Sequence, residues 1–390
     1  YRNLHEIEHG YICEVRNEIS KMRVFDQRKI NYHNQKNLNV NLDDFAFSFK
    51  DLSKEDVVRL DVLKSDWLTQ GPNVKNFEEG FSEYIGSKFA VAVSNGTAAL
   101  HLSVLALNIK PGDKVITTPN TFVASANCVK YCGGEIVFAD IDPSTYLLDI
   151  NKVRDLLKNS PKGTYSGIIP VDFAGRPNDL EKFRDLADEY GIWILQDSCH
   201  SPGGYFKDSR GFKQNCGNGK FAELAIFSFH PVKHIAAGEG GMITTNDEKL
   251  YKRLLMLRSH GIQQDPEKRI YNHGCWYYEM QELGFNYRLT DIQAALGLSQ
   301  LNRASSGITK RKEIANNYYS AFKNSKFIKG QSGIIDGHAY HLYVIEVEDR
   351  KGLINFLRDL NIFAQVHYIP VHLMPYYQNL GCKEGDFPCA

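Results

Sequence analysis

Seven short apolar runs, each separated from the next by chain with different character, constrain this sequence more than any other feature. They are Phe89–Ser94, Val115–Thr117, Glu135–Ala139, Gly167–Val171, Ile192–Leu195, Leu224–Phe229 and Met242–Thr245. Helical patterns lie between them at Thr97–Leu107, Ser125–Tyr131, Leu180–Tyr190 and Glu248–Arg258. Short runs that are apolar on both faces need cover on both faces, which a mostly parallel sheet between helices provides. A long helical tract follows Thr290. Beyond it a strand at His341–Val347, a helix near Gly352–Leu360 and a strand at Ala364–Tyr368 read as a small α+β domain. The expected organisation is a polar, Asn-rich appendage over residues 1–44 with a helix at Ile12–Met22, a large α/β domain over 45–300, and a small C-terminal domain over 301–390. The large domain opens with a helix that starts at Ser53 and stops before Gly71-Pro72.

Composition narrows the function. The 390 residues are 43% apolar, enough for a large core with a smaller companion. The 46 basic and 46 acidic residues balance to zero, which argues against nucleic acid or an anionic membrane as the main partner. No window approaches the roughly 18 consecutive apolar residues of a membrane span. The eight cysteines (Cys13, Cys128, Cys132, Cys199, Cys216, Cys275, Cys382 and Cys389) are scattered without a CxxC pair, as in a cytoplasmic protein with reduced thiols. Because it starts at Tyr1 and stops within what reads as an element, the chain is expected to be a piece of a longer one.

Several nucleotide and metal motifs fail. Around Gly217-Asn218-Gly219-Lys220 the first glycine of a phosphate loop would fall at Gln214, and Phe221 replaces the required hydroxyl. Gly238-Glu239-Gly240-Gly241 is not a dinucleotide fingerprint and precedes a strand. The thirteen histidines contain no HExxH, and His367 and His372 are five apart, so no metal is expected.

Three segments do carry chemistry. Ser94-Asn95-Gly96-Thr97-Ala98 closes a strand and opens a helix, where free N–H groups and the helix dipole suit a phosphate. Asp197, in Leu195-Gln196-Asp197-Ser198-Cys199-His200, ends a buried strand at the edge where ligands of open α/β sheets bind. Lys233, in Phe227-Ser228-Phe229-His230-Pro231-Val232-Lys233-His234, lies just past an apolar strand, and desolvation there would lower its pKa as a Schiff-base amine requires. Each has a bland reading when taken singly: a common turn, a strand-end cap, a surface lysine. Together, in that order, they are the parts of a pyridoxal-phosphate site, with Ser228 a further phosphate donor.

These segments, with Asp66–Pro72, Pro119–Ala126, Phe227–Gly241 and Gly284–Leu289, resemble the DegT/DnrJ/EryC1/StrS family of nucleotide-sugar aminotransferases from about Phe45 to Ala390. The resemblance implies the aspartate-aminotransferase type of fold (fold type I) and pyridoxal 5′-phosphate as cofactor. It makes Lys233 the Schiff-base lysine and Asp197 the partner of the pyridine nitrogen. Phe122 would stack on the ring, Gly96, Thr97 and Ser228 would hold the phosphate, and His200 would lie beside the cofactor. Asn286 would come from the neighbouring subunit of a homodimer. Asp66, Trp67, Leu68 and Thr69, with Gln365, Val366, His367 and Tyr368, match segments that contact the nucleotide sugar. On the residues alone, Phe122 reads as core, Asn286 as a helix cap, and His367 and Tyr368 as the end of a strand. Phe47 departs from the tyrosine common in relatives, and the family's last strand and helix fall beyond Ala390.

Leu63–Thr69, Met280–Gly284 and Gln365–Pro370 most resemble the branch that serves pseudaminic acid biosynthesis. The expected reaction is transfer of the amino group of L-glutamate to the 4-keto group of a UDP-linked 2-acetamido-2,6-dideoxy-hexos-4-ulose. The alternatives are another nucleotide-linked keto sugar (dTDP or GDP, at C4 or C3), or a family member that binds the cofactor without catalysis.

Overall fold

The computed structural model describes residues 62–263, 265–271, 273–330 and 333–390. The expected appendage and its helix, Phe47, and the start of the helix expected from Ser53 lie outside these residues. The elements in chain order begin with α1 (Pro72–Ile85), β1 (Phe89–Val93), α2 (Gly96–Ala106), β2 (Lys114–Thr117), α3 (Ala124–Tyr131) and β3 (Glu135–Phe138). Then come α4 (Ile150–Lys158), β4 (Tyr165–Ile169), α5 (Leu180–Tyr190), β5 (Trp193–Asp197), β6 (Tyr205–Lys207), β7 (Lys213–Asn215), β8 (Leu224–Ser228) and β9 (Gly241–Thr245). The remainder is α6 (Glu248–Arg258), β10 (Ile262–Gln263), β11 (Glu279–Met280), α7 (Asp291–Leu301), α8 (Ala304–Phe322), β12 (Ile328–Gly330), β13 (Ile345–Val347), α9 (Arg350–Asp359) and α10 (Pro375–Gln378).

All seven apolar runs become strands of one mixed sheet in the order β1-β9-β8-β5-β4-β2-β3. The β8-β5-β4-β2-β3 pairs are parallel, whereas β9 runs antiparallel to both β8 and β1. Most interior positions of these strands are buried on both faces, edge strand β3 being only half-buried, and separate apolar clusters fill the two sides. Apolar helix α2 packs into one cluster with Leu100, Leu102 and Val104. On the other side α1 presents Phe77, Phe81 and Ile85 from one face, at four-residue spacing. The ring centroids of Phe77 and Phe229 are 4.9 Å apart, as are those of Phe81 and Phe227. Each fully buried phenylalanine is worth about 1.5–3 kcal/mol over exposure.

Sequence reading treats Gly71-Pro72 as a stop; in the structure it is a start. Pro72 occupies the first turn of α1, where its fixed φ suits the helix and its missing N–H costs nothing. Gly86, at φ 85°, ends the helix with its N–H on Ser82 O at 2.8 Å.

Two compact units emerge. One comprises residues 62–312, 335–342 and 365–390 of the described chain and contains the large sheet. The other holds residues 313–334 and 343–364. In it β12 pairs antiparallel with β13, and α9 buries Leu353 and Leu357 among Ile345, Val347 and Ala364. The expected strand over Ala364–Tyr368 does not form: this segment pairs with no strand, and Tyr368 packs its ring on Phe173 in the first unit instead. Among the described residues, no helix is long and apolar enough to cross a membrane.

Arg258 at the end of α6 closes the sheet margin. Its Nη1 donates to Glu78 Oε1 (2.5 Å) and to Ala92 O (2.7 Å), while Glu78 Oε1 also accepts the Ala92 N–H (2.8 Å). Both side chains are largely removed from water, so removing the cation strands a carboxylate. Arg258→Met is therefore expected to cost about 3 kcal/mol in urea unfolding, with Glu78→Leu added to it recovering much of the loss. A wild-type midpoint for the single variant would contradict this role.

Candidate active site

The register of the sheet collects the chemistry at one edge. Asp197 ends β5 beside β8, and Ser228 ends β8 opposite Gly241. Gly241 in turn faces Val93, whose strand leads into Asn95 and α2. The loop after β2 adds Thr118–Phe122 to the same edge.

Helix α2 starts with Asn95, whose Oδ1 takes the Ala98 N–H (2.8 Å) and whose carbonyl takes the Ala99 N–H (3.0 Å). Neither bond consumes the first-turn N–H groups of Gly96 and Thr97. A Cβ at Gly96 would lie 3.0 Å from Ser228 Cβ and 3.5 Å from Cys199 Sγ, so glycine keeps a small cradle open between the helix start and Ser228. Gly241 permits the approach from behind, since a Cβ there would fall 2.5 Å from Asn95 O.

Asp197 is buried, with Oδ2 accepting from Ser125 Oγ (2.7 Å) and Oδ1 from the Cys199 N–H (3.1 Å). Thr121 Oγ1 lies 2.8 Å from Ser125 Oγ and extends this chain to the β2 loop. Lys233 sits in a loop tied at its ends by Phe229 N–H to Gly240 O (2.8 Å) and Ala237 N–H to Phe229 O (2.9 Å). Burial pushes the Lys233 amine below its ordinary pKa, against the pull of Cys199 and Asp197. A lysine so placed holds more neutral amine at neutral pH than one in water. Burial likewise pushes the Cys199 thiol well up, so it stays protonated and is no nucleophile.

A wall of rings adjoins the lysine. His200 Nδ1 accepts the Ala174 N–H (3.2 Å), which assigns the ring proton to Nε2, and Nε2 lies 3.2 Å from Tyr368 Oη. His200 therefore donates to Tyr368 and leaves the tyrosine's own O–H proton for another acceptor. Burial, then Asp197 and Cys199, raise the Tyr368 pKa, so it keeps that proton. The His200 and His341 rings are 4.3 Å apart, and His234 Nε2 bonds Ala339 O at 2.9 Å. Gly175, at φ 97°, makes this assembly possible: a Cβ there would meet His200 O at 2.7 Å and the His341 N at 2.9 Å.

Gly96, Thr97, Asp197, His200, Ser228 and Lys233 thus come to one edge, with Tyr368 bonded to His200 and His367 coupled electrostatically to Lys233. Phe122 is 57% exposed, which overturns its reading as core; its ring is 6.3 Å from that of Tyr368. Gln365 and Val366 are exposed on the approach to His367. Asp66, Trp67, Leu68 and Thr69 are exposed and attach elsewhere, with Leu68 O on the Asp291 N–H (3.1 Å) and Thr69 bridging Thr290. Asn286 is exposed and bridges Ser259. Among the described residues, none of these five bonds to the Lys233–Asp197 group. Ser125, His341 and Asp172 were missed by sequence reading, since each joins the site through partners distant in sequence.

The edge fits pyridoxal 5′-phosphate. The Gly96 cradle, with two first-turn N–H groups and two hydroxyls, suits a phosphate; a buried carboxylate and a desolvated amine suit the two ends of the ring. Fold and site together define a fold type I aminotransferase. Residues 51–390 match the model of the DegT/DnrJ/EryC1/StrS aminotransferase family, and the chain belongs to it. It is 38% identical over 354 residues to the spore coat polysaccharide biosynthesis protein SpsC of Bacillus subtilis, covering 88% of each chain. An uncharacterized protein of Methanocaldococcus jannaschii is 39% identical over 347 residues, with 85% of each covered. Among solved structures, Helicobacter pylori PseC, an aminotransferase involved in the biosynthesis of pseudoaminic acid, is 31% identical with TM-score 0.76, covering 85% of this chain and 86% of that one. DesV of S. venezuelae is 30% identical with TM-score 0.77, covering 90% and 88%. The protein is a pyridoxal-phosphate-dependent sugar aminotransferase, which takes a keto sugar and an amino donor.

The buried histidines set a pH dependence. Burial is the main cause that pushes His341 down to about 2 and His234 and His338 down to about 3. Between an unfolded value near 6.5 and these folded values, the unfolded chain binds protons that the folded chain refuses. Their stability contribution is thus complete above about pH 6.5 and is lost as pH falls, by at most about 1.4 kcal/mol per unit for each ring. Urea unfolding from pH 8 to 5 is expected to show stability declining below about pH 6.5. A rise on acidification would contradict the neutral ring wall.

Proposed function

We propose that the protein transfers the amino group of L-glutamate to the 4-keto carbon of a UDP-linked 2-acetamido-2,6-dideoxy-hexos-4-ulose. The observation that carries the reading is the meeting of a desolvated amine, Lys233, and a buried carboxylate, Asp197, beside the Gly96–Ser228 cradle. When bound, the cofactor supplies an electron sink that stabilises negative charge on the carbon losing its proton.

The chain's own groups do the rest. Lys233 Nζ would hold the cofactor and, when free of it, would be the base that takes the proton from the donor's α-carbon and passes it on rather than back, and that in the second half delivers a proton to the sugar carbon that gains the amine. Asp197, a buried carboxylate, would favour the protonated ring nitrogen. Gly96 and Thr97 N–H, Thr97 Oγ1 and Ser228 Oγ would bind the phosphate, and Phe122 would face the ring. His200 holds Tyr368 by its Nε2, which leaves the tyrosine's O–H as a donor for another acceptor.

The choice of sugar rests on Leu63–Thr69, Met280–Gly284 and Gln365–Pro370, which resemble UDP-4-amino-4,6-dideoxy-N-acetyl-β-L-altrosamine transaminase of pseudaminic acid biosynthesis, an enzyme that forms that amino sugar from the 4-keto sugar, and the likeness to PseC is consistent with it. We also assign a homodimer in which Asn286 serves the partner's site. It lies exposed next to a segment whose Trp276, Tyr278 and Leu283 face outward. The described cysteines are free thiols, consistent with a cytoplasmic setting.

The test is a substrate panel. With cofactor and L-glutamate, UDP-linked 4-keto sugar is expected to be aminated with kcat/KM about two orders of magnitude above dTDP- and GDP-linked sugars, read by mass spectrometry. A preference for another nucleotide would contradict the substrate, and no product from any would contradict the activity. Lys233→Ala is expected to abolish turnover while leaving circular dichroism and thermal midpoint unchanged; appreciable turnover would remove the lysine from its role.

A further inference from the structure

We propose that Asp172 is a positioning residue, a second buried carboxylate that sets the direction of Asp197 without touching the cofactor. The inference rests on the reading that Asp197 faces the ring nitrogen.

Asp172 lies in the turn after β4 and is fully buried. Its Oδ1 accepts from the Asn178 N–H and from Asn178 Nδ2, both at 2.9 Å. Its Oδ2 accepts from Gln196 Nε2 (2.8 Å), Ser198 Oγ (3.1 Å) and Ser201 Oγ (2.6 Å). Among the described residues no cation pairs with it; these five donors hold it, with the Cys216 thiol beside them. Burial raises its pKa, and the donors pull against that.

Two of those donors bracket Asp197. In extended chain alternate side chains point to opposite sides, so holding Gln196 and Ser198 on the Asp172 side turns Asp197 to the other. The backbone completes the clamp: the Asp172 N–H donates to Asp197 O (3.0 Å), and the Asp197 N–H donates to Pro170 O (2.9 Å). Ser201 extends the hold past His200. Asp197 can thus turn neither along the strand nor about it, and its carboxylate meets Ser125 and Cys199 on the pocket side.

The hub has to be an acceptor on both oxygens. The backbone N–H of Asn178 cannot reverse on one side. On the other, Gln196 Oε1 takes the Gly217 N–H (2.9 Å), which fixes the amide with its NH2 toward Asp172. An asparagine at 172 has the same shape but must aim an NH2 at one of these donors, leaving both unsatisfied.

The experiment compares wild type, Asp172→Asn and Asp197→Asn as holoproteins. Cofactor affinity is read by titration, along with the position of the visible band and the pH at which it shifts. Asp197→Asn is expected to weaken binding and change both spectral features. Asp172→Asn is expected to weaken binding about ten-fold and change them in the same direction, which a residue serving stability alone would not do. If Asp172→Asn does not fold, Ser201→Ala, which removes the shortest bond, is read in its place with a smaller change of the same sign. An altered Asp197→Asn beside a spectrally unchanged Asp172→Asn or Ser201→Ala would overturn the positioning role. An unchanged Asp197→Asn would instead overturn the reading of Asp197 and this inference with it.

Discussion

Taking a lysine amine out of water favours its neutral form, and the sheet edge is organised around that one constraint. The loop that carries Lys233 is closed at Phe229 and Gly240 and anchored by the Phe229 ring, which is buried among Phe77 and Phe81. Without that packing the loop would open and the amine would return to its solvated, protonated state. The phenylalanine cluster on the far side of the sheet therefore serves the chemistry as well as the fold.

At the same edge, burial keeps the rings and the thiol neutral beside the Asp197 carboxylate. His200, His234, His338 and His341 are all driven below their ordinary pKa chiefly by burial, and Tyr368 and Cys199 keep their protons for the same reason. The pocket is thus walled by polar but uncharged rings, and low dielectric strengthens the Asp197 field. Hydrogen bonds orient His200, His234 and His338, through the Ala174 N–H, the Ala339 carbonyl and the Tyr340 N–H.

Much of this was legible in the sequence. The strands were, because chain buried on both faces has to be apolar throughout, and all seven runs joined one sheet. Gly96, Asp197, Ser228 and Lys233 were legible because each ends an apolar strand or follows one within five residues, at the same sheet edge. The start of α1 was not, since Pro72 carries the same letter whether it stops a helix or opens one. The β6–β7 hairpin was hidden because buried Asp208, not an apolar pattern, ties it together through Phe212 N–H, Gln214 and Lys220. Asp172 gave no signal, as its partners lie 6 to 29 residues away in no fixed motif. Ala364–Tyr368 alternates like a strand, yet Tyr368 is held by His200 and Phe173 rather than by a ladder.

The central claim is that the Lys233 amine, and no other, bonds the cofactor covalently. Wild-type protein saturated with pyridoxal 5′-phosphate, reduced with borohydride and digested, can be mapped by mass spectrometry. The account predicts one modified peptide, carrying the cofactor's mass on Lys233. Modification of a different lysine, or an unmodified Lys233 in folded protein, would contradict it.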